Sequence, residues 1–391
     1  MTETTRTTKA RGLRDTLAAH VDAGPIPGAV ALVERGGRVE VAVVGSADLI
    51  GTTPITRESI FRVASLTKPI TAAACMVLVD DGRIGLDDPV REWLPELAAP
   101  SVARTPSSEP DDVVPAARPI TVADLLTFRA GYGMPSDFSL PVVRLLFERL
   151  VQGPPNPQAV MAPDAWMATL ADIPMVRQPG EAWLYNTCSD ILGVLIARVS
   201  GVSLPHFMAE RLFEPLGMVD TGFDVPVERM DRFTEYGRAD PAGGVASIDT
   251  ARGQWSSPPA FASGAGGLVS TVDDLLAFAR MLLAGGSAGG RRVLARESVR
   301  LTTTDHLTGS QRAASRLFME GEGWGFGGSV DVTTAHPWNV PGRYGWVGGT
   351  GTAWHIVPAT GTTAVLLTQL EMAGPTPPTV MRDFWTYAAE V

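Results

Sequence analysis

Lysine is almost missing from this sequence. Lys+Arg is 32 in 391 residues, yet lysine occurs only at Lys9 and Lys68, so 32 minus 2 leaves 30 arginines. Arginine supplies charge and ion pairs as well as lysine does, but its guanidinium does not give up a proton and so cannot serve as a base. Lys9 falls in a stretch expected to fray. Lys68 is then the one lysine kept in an arginine-rich body, at a position where a proton has to be lost. The competing reading is compositional bias with a chance survivor.

Cysteine is equally scarce. Cys75 and Cys188 cannot build a disulfide framework, and no C-x-x-C occurs. Cys75 lies in the apolar run ITAAACMVLV, which reads as a packed, inert thiol. Cys188 lies close to Tyr185 in sequence, near a candidate site, although packing is again the simpler reading. The five histidines show no metal-ligand spacing and no H-E-x-x-H, so neither a metal centre nor another cofactor is expected. Positive charge is in deficit as well. The net charge of -10 argues against nucleic acid and anionic membrane as partners, since both need a basic footprint. No apolar run approaches the roughly 20 residues of a membrane span. Residues 1–12, MTETTRTTKARG, contain no apolar leader core, so a cytoplasmic protein is expected. The sequence leaves the oligomeric state open.

What is present is globular, with 45% hydrophobic and 19% charged residues. Residues 13–23 read as an amphipathic helix, and 26–45 as two strands joined at Gly36-Gly37. The pattern is helical from Ser65 to Asp81 and closes at Gly82. A short helix over 120–128 is capped by Thr121, and further helices are expected over 189–201, over 272–286 behind Thr271, and over 377–390. Residues 100–119, 153–163 and 237–260 read as loops. Gly-punctuated strands dominate from about 323 onward. Strands at both ends of the chain imply one antiparallel sheet built from N- and C-terminal strands flanked by helices, with a mostly helical middle. The whole chain, 1–391, then reads as one composite domain: a sheet part from about 13–75 and 260–391, and a helical part from about 76–259.

The segment Phe61-Arg62-Val63-Ala64-Ser65-Leu66-Thr67-Lys68 carries the chemistry. Ser65 opens a helix, and Lys68 follows at i+3 on the same face. The positive end of the helix dipole and burial both favour the neutral, basic form of that lysine. A neutral amine can take the serine proton and make the hydroxyl a nucleophile. The Ser65 N–H at the helix start is placed to donate to a developing oxyanion. S-x-x-K alone is a weak signal. Its coincidence with the sole body lysine on a helix start makes it specific.

The same segment, continued as ITAAACMVLVDDGRIGLDDPVREWLPEL, resembles the nucleophile segment of the serine β-lactamase-like hydrolases. That superfamily includes class C β-lactamases, DD-peptidases and the family VIII carboxylesterases. ITVADLLTFRAGYG, PGEAWLYNTCSDILG and SGAGGLVSTVDDLLAFARMLL resemble further segments of it, so the resemblance spans roughly residues 24–370. It implies an α/β fold of the β-lactamase/transpeptidase type. It also implies that Tyr185 is the proton-shuttling tyrosine, against the alternative of an ordinary buried tyrosine. The lactamase pattern Y-x-N here reads Tyr185-Asn186-Thr187, so Thr187 stands where an amide would meet a lactam or peptide carbonyl. An asparagine at 187 is then expected to raise lactam or amide activity.

No lysine is left for the K-T-G motif of that superfamily. Trp346-Val347-Gly348-Gly349 stands in its place and resembles the W-x-G-G of its esterase members. That resemblance implies the Gly349 N–H as second oxyanion donor, Trp346 as an apolar pocket wall, and close approach of substrate at Gly348 and Gly349. The competing reading is a simple Gly-rich turn. Arg343 is a candidate substitute cation, though a solvated surface arginine is the plainer expectation. Gly285-Gly286-Ser287-Ala288-Gly289 matches G-x-S-x-G but follows a helix instead of a strand, so Ser287 is not expected to be a nucleophile.

The resulting expectation is a carboxylesterase acting on small-molecule esters through an acyl-enzyme on Ser65. β-Lactamase, DD-peptidase or amidase, and acyltransferase activity at the same site stay open, as does a catalytically silent binding module.

Overall fold

The computed structural model describes residues 12–390. Lys9, nearly all of the stretch read for a leader, and the terminal Val391 lie outside the described residues. Seven strands form the main sheet: β1 (Gly28–Arg35), β2 (Arg38–Gly45), β3 (Gly323–Trp324), β4 (Ser329–Val330), β5 (Tyr344–Gly348), β6 (Thr352–Val357) and β7 (Thr362–Thr368). Their order is β3-β4-β5-β6-β7-β1-β2, antiparallel throughout. The first strands of the chain therefore add to the last ones, with Ala31 opposite Leu366. The fold is the β-lactamase/transpeptidase-like arrangement expected from the sequence.

Alternation along the strands sends side chains to two cores. Ala29, Ala31 and Val33 of β1, with Leu366 of β7, pack under helix α1 (Leu13–Ala23) and the C-terminal helix α5 (Thr379–Glu390). Val30 and Leu32 face the opposite way, into the larger core. That core contains α2 (Thr67–Asp80), α3 (Thr187–Ser200) and α4 (Val272–Leu283). Helix α2 is buried from Thr67 to Leu78. It is apolar on every side instead of along one stripe, as suits a helix at the centre of a large core.

Several boundaries differ from the sequence reading. A 3-10 turn covers Ala64–Leu66, so the α-helix begins at Thr67 and Ser65 sits just before it. Helix α3 starts at Thr187, two residues earlier than expected. The stretch 100–119 contains a hairpin of Ser101–Ala103 with Val113–Pro115, and 237–260 contains part of another, Tyr236–Ala239 with Val245–Asp249. Strands of three to five residues among Pro, Asp and Gly are too short to display a period of two. Helices Pro141–Leu150 and Pro163–Ala171 flank the 153–163 connection.

Candidate active site

The nucleophile segment is clamped from both sides. Arg62 is buried, and its guanidinium donates to Asp249 Oδ2 at 2.6 Å and to the carbonyls of Thr234 and Thr250. It also lies 4.0 Å over the Phe233 ring. The Thr350 hydroxyl donates to the Arg62 carbonyl, and the Thr352 hydroxyl to that of Val63. Ala64, next to Ser65, has φ +44°, in the left-handed region that disfavours a residue with a Cβ. The buried Thr67 hydroxyl donates to the Ala64 carbonyl at 2.7 Å and holds that turn. Strain of this kind persists only where surrounding contacts over-determine it, and it is common at functional sites.

Lys68 is fully buried. Its Nζ lies 2.8 Å from Ser65 Oγ and 2.6 Å from the Ala265 carbonyl oxygen. Burial pulls the ammonium down to about 7, opposed by the negative charge of Asp190. The Tyr185 ring lies 4.6 Å from Nζ. Its hydroxyl accepts from Trp346 Nε1 at 2.7 Å. Burial pushes the phenol up to about 12, so it stays protonated near neutral pH. Ser65, Tyr185 and Trp346 line a cavity of about 400 Å³, within the usual size range for small-molecule sites, and Lys68 sits behind Ser65 outside the lining.

The other expected residues divide. Gly349 lines the cavity, and a Cβ there would meet nothing within 4 Å. Gly348 does not line it. A Cβ at Gly348 would fall 2.2 Å from Thr352 Oγ1 and 2.4 Å from the Val63 carbonyl oxygen. Its glycine therefore lets β5 approach the nucleophile segment, a correction to the expected substrate contact. Thr187 is also corrected. It is fully buried outside the cavity lining, and its hydroxyl donates to Gln152 Oε1 at 2.9 Å. Three amides line the cavity, Gln152, Asn156 and Asn186, and Asn186 Nδ2 donates to Gln152 Oε1 at 2.9 Å. Asn186 has φ +82° and ψ −68°, the strained geometry of a γ-turn, closed by the Thr187 N–H donating to the Tyr185 carbonyl at 3.2 Å. That turn swings the residue after Tyr185 into the cavity and sends Thr187 inward.

Arg343 is buried against Asp331 at 2.8 Å, contrary to a surface placement, and is not at the Ser65 cavity. Ser287 sits in a short hairpin away from the cavity. Both thiols are buried and pushed up to about 12, which makes them poor nucleophiles.

Two residues went unread in the sequence. Gln152 lies just ahead of the 153–163 connection, after the helix Pro141–Leu150. Asp190 is a carboxylate in the first turn of an otherwise apolar helix, and that contrast was its available signal. Asp190 is buried and accepts from Ser263 Oγ at 2.6 Å, Ala265 N at 3.1 Å and Gln152 Nε2 at 2.9 Å.

The chain has relatives among known proteins over most of its length. The chain is 39% identical to Protein Rv1367c of Mycobacterium tuberculosis over 347 residues, covering 86% of this chain and 84% of that one. It is 30% identical to Esterase EstB of Burkholderia gladioli over 365 residues, covering 89% and 87%. The solved structure of EstCE1, described as a hydrolase with promiscuous acyltransferase activity, superposes with a TM-score of 0.78 at 26% identity, covering 96% of this chain and 97% of that one. The beta-lactamase family model matches residues 13–379. This chain belongs to the beta-lactamase family.

Proposed function

We propose that the protein is a carboxylesterase that works through an acyl-enzyme on Ser65. The observation that carries this reading is the 2.8 Å contact between Ser65 Oγ and a fully buried Lys68 amine. The neutral amine takes the Ser65 proton as Oγ bonds to the ester carbonyl carbon. The resulting oxyanion is received by the backbone N–H groups of Ser65 and Gly349. Collapse breaks the bond to the alcohol, whose oxygen receives a proton through the Tyr185 hydroxyl. Water then gives its proton to the same base and attacks the acyl carbon, and Ser65 regains its hydrogen. Trp346 walls the cavity and holds the Tyr185 oxygen.

The cavity favours neutral esters over penicillins or D-Ala-D-Ala peptides. Among the described residues no arginine, lysine or histidine lines it, while the carboxylates of Asp190 and Glu371 do. A substrate carboxylate would find no counter-charge there. The rest of the lining is largely aromatic, aliphatic and Pro-rich.

Acyl transfer to an alcohol is the second reading, favoured by the same apolar lining, which suits an organic acceptor better than water. The similarity to EstCE1 and to EstB supports hydrolysis with transfer as a companion. Initial rates on p-nitrophenyl esters, nitrocefin and D-Ala-D-Ala peptides test the proposal. Ester turnover at least about 100-fold above the other two is expected. Comparable rates on nitrocefin would overturn it. A catalytically silent binding module predicts no turnover on any of them.

A further inference from the structure

Asp190 has no part in the mechanism above, yet its surroundings are too specific for a filler of core space. A buried carboxylate is costly unless it is paired and fully hydrogen-bonded. Asp190 Oδ1 accepts from the Ser263 hydroxyl and from the Ala265 backbone N–H, and Oδ2 accepts from Gln152 Nε2. Burial raises the proton affinity of this carboxyl, while the three donors and the Lys68 charge act in the opposite direction and favour its ionised form. Ala265 is also the residue whose carbonyl accepts from Lys68 Nζ at 2.6 Å. One residue is thus gripped by the carboxylate at its N–H and by the amine at its carbonyl. Ser263 Oγ reinforces the grip by accepting from the N–H groups of Ala265 and Gly266.

We propose that Asp190 is a positioning residue that acts on Lys68 through Ala265, holding the amine against Ser65 and serving as its buried counter-charge. The inference rests on Lys68 being the base of the proposed reaction, but its own test does not need turnover.

The other groups around the pair are accounted for. Tyr185 faces Lys68 with its ring and remains protonated. Ser65 is the neutral group on the amine's own segment. Glu371 lies elsewhere on the cavity lining, where it accepts from the Tyr236 hydroxyl at 3.3 Å and pairs with Arg238 at 3.3 Å. Asp190 is the charge that acts on Lys68, and Lys68 acts on Asp190 in return. Burial without Asp190 leaves only desolvation acting on the amine. Desolvation alone drives it further towards the neutral form. Such an amine is a weaker base towards the Ser65 hydroxyl.

The near-absence of lysine makes the test direct. Protein labelled with ¹³C,¹⁵N-lysine carries label at Lys9 and Lys68 alone, so Lys68 can be titrated by NMR on the intact chain. In Asp190→Asn the Lys68 midpoint is expected to fall by at least about one pH unit, with kcat for a p-nitrophenyl ester down about tenfold and KM within about twofold. An unmoved midpoint in a folded variant overturns the proposal.

Should Asp190→Asn fail to fold, Lys68→Met and the double variant Lys68→Met/Asp190→Asn decide the matter. Lys68→Met leaves a buried carboxylate with no counter-charge, and so with a proton affinity raised above its unfolded value. Its stability must then decline as pH rises from 4 to 8 relative to wild type, and the double variant must not show that decline. Parallel pH profiles for the two variants overturn the coupling. A displaced Lys68 midpoint in a wild-type protein that hydrolyses nothing overturns the esterase reading and leaves this one standing.

Discussion

Trp346 Nε1 donates a 2.7 Å hydrogen bond to the Tyr185 hydroxyl. The indole therefore does more than wall the cavity. It occupies one lone pair of the phenol oxygen and leaves the phenol proton free to point elsewhere. An indole donor is neutral and keeps its proton, so the tyrosine gains a fixed orientation without a nearby cation. Trp346→Phe preserves most of the wall and deletes the donor. A loss of about 1–2 kcal/mol of transition-state stabilisation is expected, seen as roughly a tenfold fall in kcat with KM nearly unchanged. An equal rise in KM with kcat intact would assign Trp346 to substrate contact alone.

The pH profile follows from the two perturbed groups. Lys68 is pulled down to about 7 by burial, and in the proposed reaction its neutral form is the active one. Activity should rise about tenfold per pH unit below 7 and level off above about 8. Tyr185 is pushed up to about 12, so it stays protonated and adds no alkaline fall within a stable assay range. Stopped-flow acylation rates between pH 5 and 10 check both limbs. A plateau that already holds at pH 5 contradicts a neutral-lysine base.

Adjacent glycines should respond in opposite ways. Gly349→Ala places a methyl group in open space and keeps the N–H, so activity within about threefold of wild type is expected. Gly349→Pro removes that N–H, and loss of an oxyanion donor costs about 10²–10³ in kcat. Gly348→Ala drives a Cβ into the Val63 carbonyl and Thr352, and displaces the nucleophile segment. It should lower both thermal stability and activity, read by differential scanning calorimetry beside the ester assay.

Thr187→Asn no longer carries the expectation of lactam activity. The side chain is buried and donates to Gln152, so the larger amide would overpack the start of α3 at about 1–3 kcal/mol. Lower stability with no gain on nitrocefin is expected from urea unfolding and the lactam assay. A gain would show that an amide at 187 reaches the cavity after all.

How far the sequence could be read follows from the range of each interaction. Ser65 and Lys68 are three residues apart, so their contact is set by local helical geometry and was legible once the lysine scarcity singled Lys68 out. That one sheet joins the two chain ends was legible because strands gathered at both of them, while the strand order was not. Tyr185 depended on family resemblance, since it meets Lys68 across more than a hundred residues. Gln152 and Asp190 were illegible for that reason too. Their roles arise from bonds to Asn186, Ser263 and Ala265 that no spacing announces. Thr187 was misread because one left-handed residue, Asn186, reverses which of two neighbours faces the cavity.

The central claim is that Ser65 is acylated with Lys68 as its base, and intact-mass spectrometry after exposure to a fluorophosphonate tests it most directly. The account predicts one adduct, mapped to Ser65 in wild type, absent from Ser65→Ala, and formed at less than about a tenth of the wild-type rate in Lys68→Arg, because arginine keeps charge but cannot take a proton. Equal labelling of wild type and Ser65→Ala, or rapid labelling of Lys68→Arg, would contradict it.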